Sequence, residues 1–434
     1  RGCRIENAGA NGVAFVGDPA AVRSPLFEYG QRQSLAQIDR EPGPKTDNYP
    51  ADCLVEECLI TRSGRVEKQT APVQIAMAQG ITVRHCSIYD VPRAGINIGD
   101  GCWGGHLIEW CDIFDTVLET GDHGSFNSWG RDRYWGLTDA PEALLPELAR
   151  LDAVRPIIMR HNRWRCDHGW DIDLDDGSSN YEITGNLLLN GGLKLREGFG
   201  RVVTGNITVN NTLHPHVWYA NCGDRVTGNL FMAAYRPAGG MPPGRWGQEI
   251  DRNLFTREAD RARFADHGCD AHSLAADPGF IDPARGDYRV REGSPALALG
   301  FANFAMDQFG VTRPELRKLA RQPELPALAQ VAAEQRAEAL PVGWMGAALR
   351  ELVGEEFSAF GVGRDDGGVV VAGLSAESAM ARAGLRRGDL IRSAGGSQVR
   401  TLRDLHRLRD AAAGAALKLG LVRGQQPVEL SLTD

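Results

Sequence analysis

The sequence predicts an all-β solenoid, a right-handed parallel β-helix, followed by a small α/β domain of different character. Three observations predict it: 52 glycines among 434 residues, a phrase that recurs through roughly the first 260 residues, and the end of that pattern after Phe309. Glycine in such excess suits a fold of many tight turns better than one of long helices. A chain of this length exceeds one ordinary core, so two domains are expected.

The recurring phrase is an apolar residue followed three positions later by Cys or Asn. It reads Val55 to Cys58, Val83 to Cys86, Ile108 to Cys111, Ile158 to Asn162 with one extra residue, Ile183 to Asn186, Val203 to Asn206, Val226 to Asn229 and Ile250 to Asn253. Successive Cys or Asn positions lie 28, 25, 51, 24, 20, 23 and 24 residues apart, the 51 being two steps or one step with an inserted loop. A period in the low twenties with β-branched residues and no helical spacing describes a coil of short strands, stacked rung on rung at ~4.8 Å. Stacking puts the three cysteines and then the five asparagines in one internal column. Buried thiols would fill its first part, and an amide ladder satisfying turn backbone its second.

A second strand is legible in each rung. Gly95 to Gly101, Asp171 to Gly177 and Gly192 to Gly198 align without a gap. Strand alternation turns Ile96/Ile98, Ile172/Leu174 and Leu193/Leu195 inward. Asn97, Asp173 and Lys194 then share an outer column, with Gly99, Asp175 and Arg196 beside it. Leu213 to Trp218 extends the face by another rung, bringing His214, His216 and Trp218. Asp171, Asp173 and Asp175 have the parity to face solvent together, and aligned carboxylates repel unless a cation answers them. Lys194 and Arg196 supply part of that answer. The plainer reading is a solvated, charge-balanced strand.

Gly121 to Trp135 lies inside the 51-residue interval and reads as the start of a long loop over this groove. Trp129, Tyr134 and Trp135 could stack on sugar rings, and Arg131, Arg133, Asp122 and Asp132 could meet hydroxyl groups; alternatively the aromatics pin the loop. Carboxylates on loop and strand would supply the pair that glycoside cleavage requires. His123 and His168 flank them.

Several classes are excluded. A content of 42% hydrophobic and 24% charged residues gives no sign of disorder. Without an 18-residue apolar stretch nothing spans a membrane. A net charge of −8 argues against nucleic acid and for a neutral or cationic substrate. Nine scattered cysteines with no C-x-x-C argue against a zinc site or disulfide framework, and the leading reading expects neither a metal nor another cofactor. No phosphate loop and no Gly-x-Ser-x-Gly elbow occurs. The chain opens at Arg1 inside the repeat and reads as a fragment, with a secreted, periplasmic or cell-surface location expected.

Gly121 to Trp135, Cys166 to Tyr181, Gly192 to Phe199 and His214 to Tyr219 together resemble glycoside hydrolase family 141. The resemblance runs from about Cys53 to Gln322 and takes in Asp277 to Phe280 and Gly286 to Tyr288. It implies a parallel β-helix acting on plant or algal type polysaccharide, as an α-L-fucosidase on pectic side chains or as a xylanase. The implied catalytic pair is Asp132 and Asp173, with Asp122, Asp175 and Asp176 as alternatives. The substrate-binding set is Trp129, Arg131, Arg133, Tyr134, Trp135, His168, Lys194, Arg196, Glu197, His214, His216 and Trp218. Two other readings stand beside it. One is a polysaccharide lyase with calcium on Asp171, Asp173 and Asp175 and Lys194 or Arg196 as base; the other is a non-catalytic glycan-binding surface protein.

Residues 1–310 are thus assigned to the β-helix and 311–341, with Pro323 to Pro326 and an Ala/Glu-rich run, to a partly helical linker. Residues 342–434 form the second domain. Trp344 to Ala347, Gly368 to Val371, Ser378 to Leu385 and Gly388 to Ile391 resemble the PDZ domains of bacterial envelope proteases, with Gly395-Gly396 where Asn-Gly is usual. The resemblance implies binding of a C-terminal peptide as an added strand, its carboxylate held by the loop Trp344, Met345, Gly346 and Ala347.

Overall fold

A computed structural model describes residues 1–23, 31–99, 103–130, 132–328, 342–363, 365–412 and 416–432. The chain divides into two compact units, Arg1–Arg236 with Pro243–Ala329, and Pro237–Pro242 with Gln330–Asp434.

The first unit is a solenoid of three parallel sheets of ten, seven and eight strands. The chain visits them in turn: Leu54–Glu56, Leu59–Thr61 and Val73–Ala76 make one circuit, and Thr82–Arg84, Ser87–Tyr89 and Ile96–Gly99 stack on it in register. Inward apolar residues, among them Val83, Ile88, Ile98, Ile172 and Leu195, are buried. The corner between two of these sheets is where the recurring phrase falls. The residue before each Cys or Asn sits in the left-handed region, with Glu57, His85, Trp110, His161, Gly185, Gly205, Gly228 and Arg252 at φ between 49° and 67°. Such a bend turns the chain without breaking the stack.

The column of Cys and Asn runs along this corner. Cys111 N donates to Asn162 Oδ1 at 2.9 Å, Asn162 N to Asn186 Oδ1 at 3.0 Å, Asn186 N to Asn206 Oδ1 at 2.9 Å, and so on through Asn229 to Asn253. Each amide nitrogen donates back to a rung, Asn206 Nδ2 to Ile183 O at 2.8 Å for example. The ladder therefore answers the backbone groups that the bend leaves unpaired.

The structure corrects the reading of Gly121 to Trp135 as a loop. Gly124–Trp129 is a strand, paired in register with Ile96–Gly99 on one side and Trp170–Asp175 on the other. Its Phe126 and Ser128 point inward and its Asn127 and Trp129 outward, the same alternation as its neighbours. The 51-residue interval is thus one further step plus an insertion that carries the short helix Leu145–Ala149. Beyond Phe309 the chain still packs on the solenoid, with Val311 and Leu316 buried against Leu59, Tyr89 and Phe114.

The second unit holds an antiparallel sheet in the order Val342–Trp344, Ala347–Glu351, Val369–Leu374, Leu390–Ala394, Leu417–Arg423 and Gln426–Leu432. Leu349, Val371, Ile391, Leu405 and Leu419 form its own core, with Leu405 supplied by the helix Leu402–Ala412.

Candidate functional site

The seven-stranded sheet carries the site. Its register aligns Gln74, Asn97, Asn127, Asp173, Lys194 and His214 in one outward column. The expected neighbours Asp173 and Lys194 are on adjacent strands; between Asn97 and Asp173 the extra strand inserts Asn127. Trp129 pairs with Asp175 in the next column, and the absence of a side chain at Gly99 leaves room for the Trp129 ring.

The expectation that Asp171, Asp173 and Asp175 face solvent together is overturned, because Asp171 and Asp173 are buried. Asp171 accepts from the amides of Cys166, Asn190 and Gly192 at 2.7, 3.0 and 3.1 Å, which makes it a brace for two turns. Burial pushes its carboxyl up to about 7, against those amide donors.

Asp173 and Asp175 share one ammonium. Lys194 Nζ lies 3.0 Å from Asp173 Oδ1 and 3.1 Å from Asp175 Oδ1, and 4.2 Å from the centre of the Trp170 ring. Asn127 Nδ2 donates to the other Asp173 oxygen at 3.0 Å. Arg196 bridges Asp175 and Asp176, each at 3.2 Å, and its Nε contacts Glu197 at 2.8 Å. Arg93 closes the other end, donating to Asn97 Oδ1 at 3.1 Å and Asn127 Oδ1 at 2.9 Å.

These surroundings separate the carboxyls. Burial pushes Asp173 up to about 8, with Lys194 opposing and the charges of Asp175 and Asp122 adding. Asp175 is driven the other way: burial raises it, but Lys194 and Arg196 together outweigh burial and hold it below the usual carboxylate range. Glu197 follows Asp173, its burial raising it to about 8 against Arg196. His123 is lowered to about 4 by burial and by Arg93.

The remaining expected residues are scattered around this chain of charges. Asp122 is exposed on the turn before Gly124–Trp129, and Asp132 follows the same strand at its other end. There Asp132 lines a small cavity with Trp129, Gly130, Ser178, Ser179 and Tyr181. The structure thus places Asp132 outside the column that holds Asp173. Arg133 is corrected from a substrate contact to a strut: it is buried, 3.0 Å from Asp152 through Nη2, and donates to the carbonyls of Asp39, Glu41 and Leu151. Tyr134 and Trp218 are likewise buried, donating to Gly177 O and Leu195 O at 2.7 Å each. Trp135 is buried and His168 exposed. His214 meets Asn211 at 2.7 Å, and His216 packs edge-on to Trp170. Arg131 lies outside the described residues.

Sequence reasoning missed Arg93, Asn127 and Trp170 as members of the site. Arg93 precedes its strand and belongs to no alternation; Asn127 and Trp170 become legible only when Gly124–Trp129 and Trp170–Asp175 are seen to be paired.

In the second unit, Met345 and Gly346 at φ 48° and 82° form a two-residue turn that pairs Trp344 with Ala347. Trp344 and Ala347 are buried in the core.

No family model matches the chain, and no curated protein does. Among solved structures, the HtrA-type protease AlgW with a decapeptide is similar at 26% identity and TM-score 0.18 over 22% of this chain and 29% of that one. A variant of the same protease with a decapeptide is similar at 25% identity and TM-score 0.19 over 23% of this chain and 30% of that one. The chain therefore spans under a third of the length of either protease.

Proposed function

We propose that the solenoid is a right-handed parallel β-helix that hydrolyses glycosidic bonds with Asp173 and Asp175. The carrying observation is that two carboxyl groups of one strand share the Lys194 ammonium at 3.0 and 3.1 Å, beside outward tryptophan. Paired carboxyls pushed apart in acidity are the signature of an acid and a base. Asp173, raised by burial, holds its proton at neutral pH and gives it to the leaving oxygen; Asp175, ionised and partly open to solvent, serves as nucleophile or activates water. Asp173 is fully covered here, so glycan entry has to uncover it. The placement of Asp132 beyond the strand end moves the pair from Asp132 with Asp173 to Asp173 with Asp175.

The calcium-dependent lyase reading is weaker, because Asp171 is held by three backbone amides and the other two aspartates are already paired with Lys194. A silent glycan-binding surface protein remains the rival from another class. The second unit we read as a PDZ domain, although the edge of Ala347–Glu351, where a peptide would add, is taken by Val342–Trp344.

Digestion of a glycan panel with product analysis tests the reading. Asp173→Asn and Asp175→Asn should each lower turnover by roughly 10²–10⁴-fold while far-ultraviolet circular dichroism stays unchanged. Full activity in either variant would sink the pair. Chelator-sensitive cleavage giving an unsaturated, ultraviolet-absorbing product would turn the assignment to a lyase.

A further inference from the structure

Among the described residues, six arginine and lysine side chains of the solenoid are buried: Arg93, Arg133, Arg163, Lys194, Arg196 and Arg201. Five face carboxylates, Arg133 with Asp152, Arg163 with Asp112, Arg201 with Asp224, and Lys194 and Arg196 with the aspartates of the site. Arg93 is the exception: among the described residues no carboxylate forms an ion pair with it, and it is only 6% exposed. Its two terminal nitrogens donate to the neutral amide oxygens of Asn97 and Asn127, while its Nε has no hydrogen-bond partner. Asn97 Nδ2, on a fully buried side chain, also lacks one. A buried guanidinium that no carboxylate touches, answered only at a distance by the charges of Asp173 and Asp175, is costly, and so is a buried donor without an acceptor. Two such donors on adjoining side chains therefore point to a missing acceptor of negative charge.

We propose that Arg93 and Asn97, with the Trp129 indole, form a subsite for the carboxylate of an acidic sugar on the same sheet face as Asp173, which the entering sugar has to uncover as it does Asp173. The inference rests on the glycan reading above and names its substrate class. A guanidinium fork matches the planar carboxylate of a uronic acid, and is stronger than a neutral donor pair. The Arg93 guanidinium lies 5.5 Å from the centre of the Trp129 ring, so the charged and the apolar parts of one sugar residue would meet neighbouring side chains. Asn97 stands two strands from Asp173 in the register, which sets the acidic residue beside the bond to be cut rather than across it. The overall charge of −8 does not oppose this, because recognition depends on the local field.

The test is calorimetric titration of the full chain with oligogalacturonate, with its neutral methyl ester, and with a sulfated oligosaccharide that contains no uronate. The acid should bind about ten-fold tighter than the ester or more, a difference of about 1.4 kcal/mol. In Arg93→Gln that ratio should fall towards one, and in Arg93→Lys, which keeps the charge but not the fork, to an intermediate value. Equal affinity for acid and ester in the parent chain, or an unchanged ratio in Arg93→Gln, overturns the proposal. Tighter, Arg93-dependent binding of the sulfated sugar overturns the carboxylate in favour of a sulfate ester. Should Arg93→Gln unfold, Arg93→Lys decides; unfolding of both would make Arg93 a structural strut and overturn the subsite. Acid preference without any cleavage sinks the hydrolase and leaves the subsite, whereas cleavage without acid preference does the reverse.

Discussion

Asp173 and Asp175 are two residues apart on one strand and touch the same ammonium, yet burial and charge drive them in opposite directions. Linkage turns this into a stability profile. Asp173, raised in the folded state, binds a proton there that the unfolded chain has lost, so its contribution is full below the unfolded value of about 4 and disappears as pH rises through about 8. Asp175, lowered, contributes above that unfolded value and loses its contribution as pH falls through its folded one. Asp173→Asn should therefore melt at or above the parent temperature at pH 9 and lose that advantage towards pH 4, which differential scanning calorimetry across pH would show. The opposite trend would mean that Asp173 is held as a carboxylate. Lys194 is the keystone of the pair, since its removal leaves Asp175 facing Asp173 without their shared cation. Lys194→Met is expected to cost about 3–5 kcal/mol in denaturant unfolding.

At the scale of the element, the strand Gly124–Trp129 shows how alternation can be hidden. Gly-Ser-Phe-Asn-Ser-Trp offers only two large side chains that break the pattern of polar residues, Phe126 inward and Trp129 outward, so a reading by hydrophobic alternation sees a loop. Its neighbours on both sides supply the hydrogen bonds that make it a strand. The corner ladder was legible, because five asparagines at nearly constant spacing can serve only a stacked turn. Asn206→Ala removes the acceptor for Asn186 N and the donor to Ile183 O, both buried. A loss of about 2–4 kcal/mol is expected in chemical denaturation, whereas Cys86→Ala, which leaves no strong donor or acceptor unpaired, should cost about 1 kcal/mol. Equal costs would show that packing, and not amide pairing, holds the corner.

At the scale of the whole molecule, the end of the repeat marks a real change of architecture, from parallel coils to an antiparallel sheet with its own apolar core. A core of Leu349, Val371, Ile391, Leu405, Leu419 and their neighbours, closed by a helix, is enough for independent stability. Residues 342–432 expressed alone should therefore melt cooperatively and give a dispersed amide spectrum; a spectrum without dispersion would show that the second unit borrows stability from the rest of the chain.

The sequence by itself determined the solenoid, its rung length, its Cys and Asn corner and the outward column of Asn97, Asp173 and Lys194. Each of these follows from local periodicity, which stacking repeats without needing distant information. Only the tertiary structure decided that Asp171 is a brace, that Arg133, Tyr134 and Trp218 are buried struts, and that Arg93 enters the site. Those assignments depend on which side chains meet across strands and turns far apart in sequence, as Arg133 meets Asp39 and Glu41. Burial and partner choice are set by those meetings, and they alone drive the carboxyls of Asp173 and Asp175 in opposite directions.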